Sequence, residues 1–160
     1  MFVSEPSTSP YLFGDLLALA RQSWVRQMAT RLAAVGYADY RRSDAAALRL
    51  LRRRAASVGE LGSALEVTRQ AARKVADGLE QRGYARTERD AEDSRRLNVV
   101  LTPAGRRYAA AVVDVIEALN LELSQRVDRA QLAAADAVLR ASIAEQHARR
   151  RADRLVRPPG

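Results

Sequence analysis

Residues 68–102 constrain the fold of this chain more than any other stretch. They open with Thr68-Arg69-Gln70-Ala71-Ala72-Arg73-Lys74 and reach Gly83 through Val75, Ala76 and Leu79. Ala72, Val75, Ala76 and Leu79 follow the 3–4 spacing of a helix face turned inward. Thr68 suits the N-cap, where a hydroxyl accepts from a first-turn N–H, and Gly83 stops the helix. Tyr84–Arg89 and Leu97–Leu101 then read as two antiparallel strands, joined by the polar, turn-rich residues 90–96. Thr102-Pro103 is a strong helix start, with Thr as N-cap and Pro in the first helical position.

The charges on this stretch are placed unusually. Arg69, Gln70, Arg73 and Lys74 lie on the outer face of the first two helical turns, whereas Asp77 and Glu80 come later. Cations at a helix N-terminus oppose the macrodipole, so the placement is locally unfavourable and a functional demand would explain it. In helix-turn-helix docking, the N-terminal residues of the second helix reach base edges. A helix of this kind followed by an arginine-tipped hairpin predicts a mainly α fold with a small β-wing. The expected architecture is a winged helix-turn-helix core over 37–102, flanked by N- and C-terminal helices, with double-stranded DNA as partner.

Net charge supports an anionic partner, and its distribution is more telling than its size. Residues 1–40 are neutral overall, residues 41–107 carry fifteen Arg, one Lys and nine acids for a net +7, and residues 108–160 are net +1. Lys74 is the single lysine among 27 basic residues, which marks a compositional preference for Arg. That preference does not explain why the surplus is local. The chain has no cysteine, which excludes internal disulfides, thiolate metal sites and a thiol redox switch. The one histidine, His147, leaves no histidine-rich metal site and no Ser-His or Cys-His pair in the middle of the chain. No phosphate-binding loop is visible either. An enzyme is therefore not expected, nor is a cofactor. No signal peptide is expected, since no basic residue precedes Tyr11 and Asp15 interrupts the apolar run 11–20. No apolar stretch reaches 18 residues, so no membrane span and a cytoplasmic location are expected.

The flanks read as helical. Residues 1–9 are polar and expected to be loose. Leu12, Leu16, Ala20, Trp24, Met28 and Leu32 form a stripe that Gly36 ends. Ser43 is the expected N-cap of a helix running to Arg53, closed by Arg52-Arg53-Arg54. That triplet reads equally as a phosphate contact or as a solvated helix end. Residues 58–65 predict a short helix with Leu61, Ala64 and Leu65 inward, and Glu66-Val67 a turn. A long helix from Pro103 to about Arg126 carries Ala109, Val112, Val113, Ile116, Leu119 and Leu123. A break at Val127-Asp128, a last helix from about Ala130 to Arg149–Arg151, and a tail over 156–160 complete the chain. The helical regions 10–36 and 103–155 have apolar stripes without an obvious mate in a small winged helix, so they are expected to form a homodimer. A two-fold dimer would set its recognition helices about one DNA turn, roughly 34 Å, apart.

Three spaced elements, Leu79-Glu80-Gln81-Arg82-Gly83-Tyr84, Asp93-Ser94-Arg95 and Leu101-Thr102-Pro103-Ala104-Gly105, resemble the MarR family (multiple antibiotic resistance regulators) over about residues 11–150. One departure is Ala91, where many members have Pro in the wing. The resemblance implies that Arg95 enters the minor groove and that Asp93 orients it or pairs with a basic neighbour. It implies that Arg69, Gln70 and Arg73 read major-groove edges, Arg suiting guanine and Gln suiting adenine. Thr68, Lys74 and Arg96 would bind phosphates, which set register without reading sequence. It further implies a repressor relieved by a small aromatic or anionic effector, with Trp24, Met28, Tyr37, Tyr40 and Arg41 as candidates. For these five, an ordinary core role is the competing reading. The alternative to a sequence-specific regulator is a non-specific architectural nucleic-acid binder, which would share the salt dependence but not the sequence discrimination.

Overall fold

The computed structural model describes the backbone of residues 10–90, 93 and 95–156, and the side chains of these as far as residue 143. The expectations for residues 1–9, Ala91, Ser94 and the tail beyond 156 lie outside the described residues. In chain order the elements are α1 (Phe13–Ala34), α2 (Asp44–Arg53), β1 (Ala56–Ser57), α3 (Val58–Leu65), α4 (Arg69–Gln81), β2 (Ala85–Arg89), β3 (Leu97–Leu101), α5 (Pro103–Ser124) and α6 (Arg129–Val156). The chain divides into two units, residues 1–116 and 117–160.

In the first unit, α3, a tight turn and α4 form the helix-turn-helix. Ser57 caps α3 by accepting from the Glu60 N–H at 3.3 Å, and Glu66 ends it with a left-handed φ of 55°. Thr68 caps α4 as expected, accepting from the Ala71 N–H at 3.2 Å. Leu61, Ala72, Ala76 and Leu79 are buried where the two helices cross. Ala64, expected inward, is exposed, and Gly62 is buried instead. A Cβ on Gly62 would sit 3.3 Å from the Val67 carbonyl oxygen and 3.4 Å from the Ala72 Cβ. The close packing there falls on a residue that carries no apolar signal.

The wing is a three-stranded antiparallel sheet in the order β1-β3-β2. The hairpin pairs Ala85 with Leu101 and Arg89 with Leu97. Strand β1 was not expected from sequence. Its two residues are too short to show alternation, and pairing of Ala56 with Val99 and Ser57 with Asn98 is what defines it.

The hairpin is joined to α5 by a close junction. The Thr102 hydroxyl donates to the Gly83 carbonyl at 2.6 Å and accepts from the Gly105 N–H at 3.0 Å. The Thr102 N–H donates to the Tyr84 carbonyl at 3.1 Å. A Cβ on Gly105 would lie 1.8 Å from that same carbonyl oxygen, so only glycine lets the first turn of α5 come this close to the backbone that leads into β2.

Beneath this junction lies a buried ion pair. Asp44 is 1% exposed, and the Arg82 guanidinium grips both its carboxylate oxygens at 2.8 and 2.9 Å. The fully buried Tyr108 hydroxyl donates to Asp44 Oδ2 at 3.0 Å, and the Arg41 N–H donates to the same oxygen at 2.9 Å. Arg82 also donates to the Gly78 and Asp39 carbonyls. Burial, with Asp44 adding to it, pushes the Tyr108 hydroxyl far up from its ordinary value, so it remains a donor. Tyr37 stacks on Tyr108 with centroids 4.5 Å apart, and Tyr84 tilts against the same ring at 4.5 Å. Ser43, expected to cap α2 with its hydroxyl, makes no such bond because its own backbone is already helical.

Only the second half of α1 joins the core of this unit, through Met28 and Leu32, while Leu12, Phe13 and Leu16 are exposed. Taken by itself, the second unit comprises the end of α5 and α6. Leu119 is buried there, whereas Leu121, Val138, Leu139 and Ile143 are exposed.

Removing one partner of a buried pair leaves an uncompensated charge, a change that costs about 3–5 kcal/mol. Arg82→Ala is expected to destabilise the fold by about that amount in urea unfolding, whereas Arg73→Ala on the surface should leave stability nearly unchanged.

Candidate nucleic-acid interface

The first turns of α4 and the loop end of the hairpin line a groove of about 810 Å³. Five side chains singled out in the sequence meet there: Arg69, Gln70 and Arg73 from α4, and Arg95 and Arg96 from the hairpin loop. All five are exposed, and Ser57, Val58 and Gly59 form part of the floor. The geometry follows from the helix period: positions 69, 70 and 73 face outward because 72, 76 and 79 are drawn into the core.

The other three expected residues are placed differently. The Thr68 hydroxyl is committed to the helix cap. Asp93 shapes the loop through the backbone. Its Oδ1 accepts from the Arg95 N–H at 3.0 Å and its carbonyl from the Arg96 N–H at 2.9 Å, while the Asp90 N–H donates to the Arg96 carbonyl at 2.8 Å. It thus aims the Arg95 backbone without consuming the guanidinium. Lys74 does not line this groove; it lies on the other flank of α4, beside a cavity of about 210 Å³.

Two cations of the groove have acidic partners. Arg73 pairs with Asp77 at 3.1 Å, one helical turn on, with both side chains well exposed. Such pairs are worth roughly 0.3–0.5 kcal/mol and exchange easily for another anion. Arg96 pairs with Glu60, a residue not singled out from sequence. The Glu60 carboxylate also accepts from the Ser57 N–H and hydroxyl, each at 2.8 Å, and from Arg54 Nη1 at 2.9 Å. These bonds, the Ser57 backbone N–H first and then Arg96, the Ser57 hydroxyl and Arg54, hold its carboxyl well below the usual carboxylate range. One carboxylate therefore ties the hairpin loop to the N-terminus of α3. Ser57-x-x-Glu60 is a capping box, and that pattern was the signal available in the sequence. Arg54 of the basic triplet is thereby engaged with protein, while Arg52 and Arg53 are exposed.

The five effector candidates divide. Met28 is 1% exposed and belongs to the core. Tyr37 is half-buried in the tyrosine stack, and Trp24 and Tyr40 are half-buried. Arg41 is exposed and lines the 210 Å³ cavity with Ser43, Asp44, Lys74, Val75 and Arg82; none of the other four candidates lines it. Among the described residues, no cluster of three or more His, Cys, Asp or Glu is placed to hold a metal ion. Among them, too, no helix is long and apolar enough to cross a membrane.

Residues 38–96, which span the helix-turn-helix, β2 and the hairpin loop, match the model of the MarR family. The chain has no match among the curated proteins. Among solved structures it is similar to the S. aureus MepR–DNA complex, with a TM-score of 0.74 at 16% identity, over 85% of this chain and 99% of that one. It is also similar to CouR, a transcriptional repressor bound to a 23-mer DNA duplex, with a TM-score of 0.69 at 24% identity over 83% and 92%. The PcaV transcriptional regulator of Streptomyces coelicolor, in complex with its natural ligand, gives 0.69 at 20% identity over 89% and 97%. At these identities the likeness is one of fold.

The Glu60 tie has a defined pH signature. Its folded-state value lies below the unfolded one, about 4.3, so its stabilisation is present above that pH and is lost only as pH falls through the folded value. Glu60→Gln is expected to lower the melting temperature at pH 7 and to do so equally at pH 5.5, the difference closing only in stronger acid. A difference that vanished between pH 7 and 5.5 would contradict the tie.

Proposed function

From the match of residues 38–96 to the MarR family, we propose that the chain is a sequence-specific, homodimeric DNA-binding transcriptional regulator. It acts as a repressor in the cytoplasm, where chromosomal DNA is reached. The observation that carries this reading is the convergence of Arg69, Gln70, Arg73, Arg95 and Arg96 on one groove. In this reading α4 enters the major groove. Arg69 and Arg73 donate in bidentate fashion to guanine O6 and N7, and Gln70 pairs with adenine N6 and N7. Arg73 leaves Asp77 for the base, an exchange of two weak exposed contacts. Arg95, carried at the tip of the loop that Asp93 shapes, enters the minor groove. Thr68 contributes through the first-turn N–H groups it organises, and Lys74 and Arg96 bind phosphates.

Dimerisation is supported by apolar surface. Tyr11, Leu12, Phe13 and Leu16 near the start of α1, and separately Val138, Leu139 and Ile143 on α6, are 39–78% exposed, as expected of a surface covered by a second copy. Relief by a small aromatic or anionic effector completes the proposal. It is supported by the half-buried Trp24 and Tyr40, while Met28 and Tyr37 serve the core. An effector would act only through different affinities for the DNA-bound and free arrangements.

Selection of bound fragments from a random duplex pool at about 0.15 M salt tests the reading. An enriched inverted repeat with half-sites about 10 base pairs apart is expected; retention of DNA without enrichment would favour the architectural binder. On the selected site, Arg95→Ala should make the salt dependence shallower by about one unit of slope. Arg73→Ala should cost about 1–3 kcal/mol there and much less on scrambled DNA. Equal losses on both duplexes would reassign Arg73 to a phosphate.

A further inference from the structure

We propose that the 210 Å³ cavity on the second flank of α4 is a phosphate site that clamps the DNA backbone opposite the wing, with Arg41 and Lys74 as its cations and Ser43 as its hydroxyl donor. The proposal rests on the reading that α4 enters the major groove. A helix with its side chains is about 10–12 Å across and the major groove about 12 Å wide, so a seated helix has a phosphate backbone on each side. The wing serves one side. Arg73 lines the groove shared with the hairpin, whereas Lys74, roughly 100° further round the helix, lines the opposite cavity.

Three observations make that cavity a built anion site. First, its charge is unbalanced. Asp44 and Arg82 neutralise each other at 2.8 Å. Arg41 and Lys74 are exposed and have no acidic partner among the described residues, so two positive charges remain. Second, the Arg41 guanidinium lies over a position of α4 that carries no side chain. Gly78 lies inside α4, where glycine is unfavourable, and a Cβ there would meet Arg41 Nη1 at 2.9 Å. Absence of that Cβ lets the guanidinium lie along the helix, in the same row as Lys74 and Arg82. Third, the Ser43 hydroxyl stands at the N-cap of α2 yet makes no cap bond, so it is available to an anion beside the positive end of that helix. The Arg41 backbone is tied to the site, since its N–H donates to Asp44 at 2.9 Å. This assignment takes Arg41 out of the effector group.

The test measures affinity against salt concentration for the full chain and for Arg41→Gln and Lys74→Gln, on a selected duplex and on a scrambled one, with melting temperatures as fold control. Each variant should keep its melting temperature, lose affinity by the same factor on both duplexes and show a slope shallower by about one unit. Inorganic phosphate titrated into the free protein, followed by amide NMR, distinguishes the sources. Shifts near Arg41 and Lys74 together with unchanged salt slopes would mean a site for a free anion and would overturn the clamp. Unchanged slopes without such shifts would overturn the site altogether. Loss on the selected duplex alone would make these residues base readers and overturn it too. If the parent chain bound neither duplex, the DNA reading itself would fall, a result separate from the behaviour of the variants.

Discussion

The bidentate pair between Asp44 and Arg82 is the interaction on which the placement of α4 depends. It joins residues 38 positions apart and is sealed by the Tyr108 hydroxyl and by the Tyr37, Tyr84 and Tyr108 rings. A buried carboxylate is costly unless it is paired and hydrogen-bonded, and here a guanidinium nitrogen, a phenol and a backbone N–H donate to Oδ2 while the second guanidinium nitrogen donates to Oδ1. The consequence is positional. The C-terminal end of α4, the start of α2, the connection through Asp39 and Arg41, and α5 meet at one carboxylate and cannot shift independently. A helix anchored at its C-terminal end presents its N-terminal turns in a reproducible direction.

The cationic face then divides along that helix. Arg69, Gln70 and Arg73 share one groove with Arg95 and Arg96, and Lys74 shares another with Arg41. Glu60 ties the hairpin loop to α3 through Arg96, so the groove has an electrostatic strut as well as a hydrogen-bonded sheet. Among these cations Glu60, bonded to Arg96, Arg54 and Ser57, holds the Arg96 guanidinium in place before an anionic partner arrives. Preorganisation of this kind lowers the cost of ordering long side chains on binding.

What was legible in the sequence was whatever is written in local periodicity. The α4 face of Ala72, Ala76 and Leu79, the Thr68 and Thr102 caps and the hairpin strands follow from neighbours three or four residues away, or from alternation. The groove residues were legible for the same reason, since a helix of known phase dictates which side chains face outward. What was not legible depends on distant partners. Gly62 replaces Ala64 at the helix crossing because of the Val67 carbonyl and Ala72. Strand β1 exists only because β3 accepts it. The Asp44–Arg82 pair spans α2 to α4, and no spacing rule connects them. Lys74 and Arg73 are adjacent in sequence but face different cavities, and only the packed helix reveals what lies beside each.

The central claim is that α4 and the wing straddle one backbone of a duplex, the helix in the major groove and the loop in the minor groove. Chemical footprinting of the complex on its selected site tests it most directly. Dimethyl sulfate reports guanine N7 in the major groove, and hydroxyl radicals report sugars along the minor groove. The account predicts N7 protection within each half-site, flanked on the outer side by a short sugar protection that Arg95→Ala removes while N7 protection remains. Uniform sugar protection with reactive N7 positions throughout would contradict it.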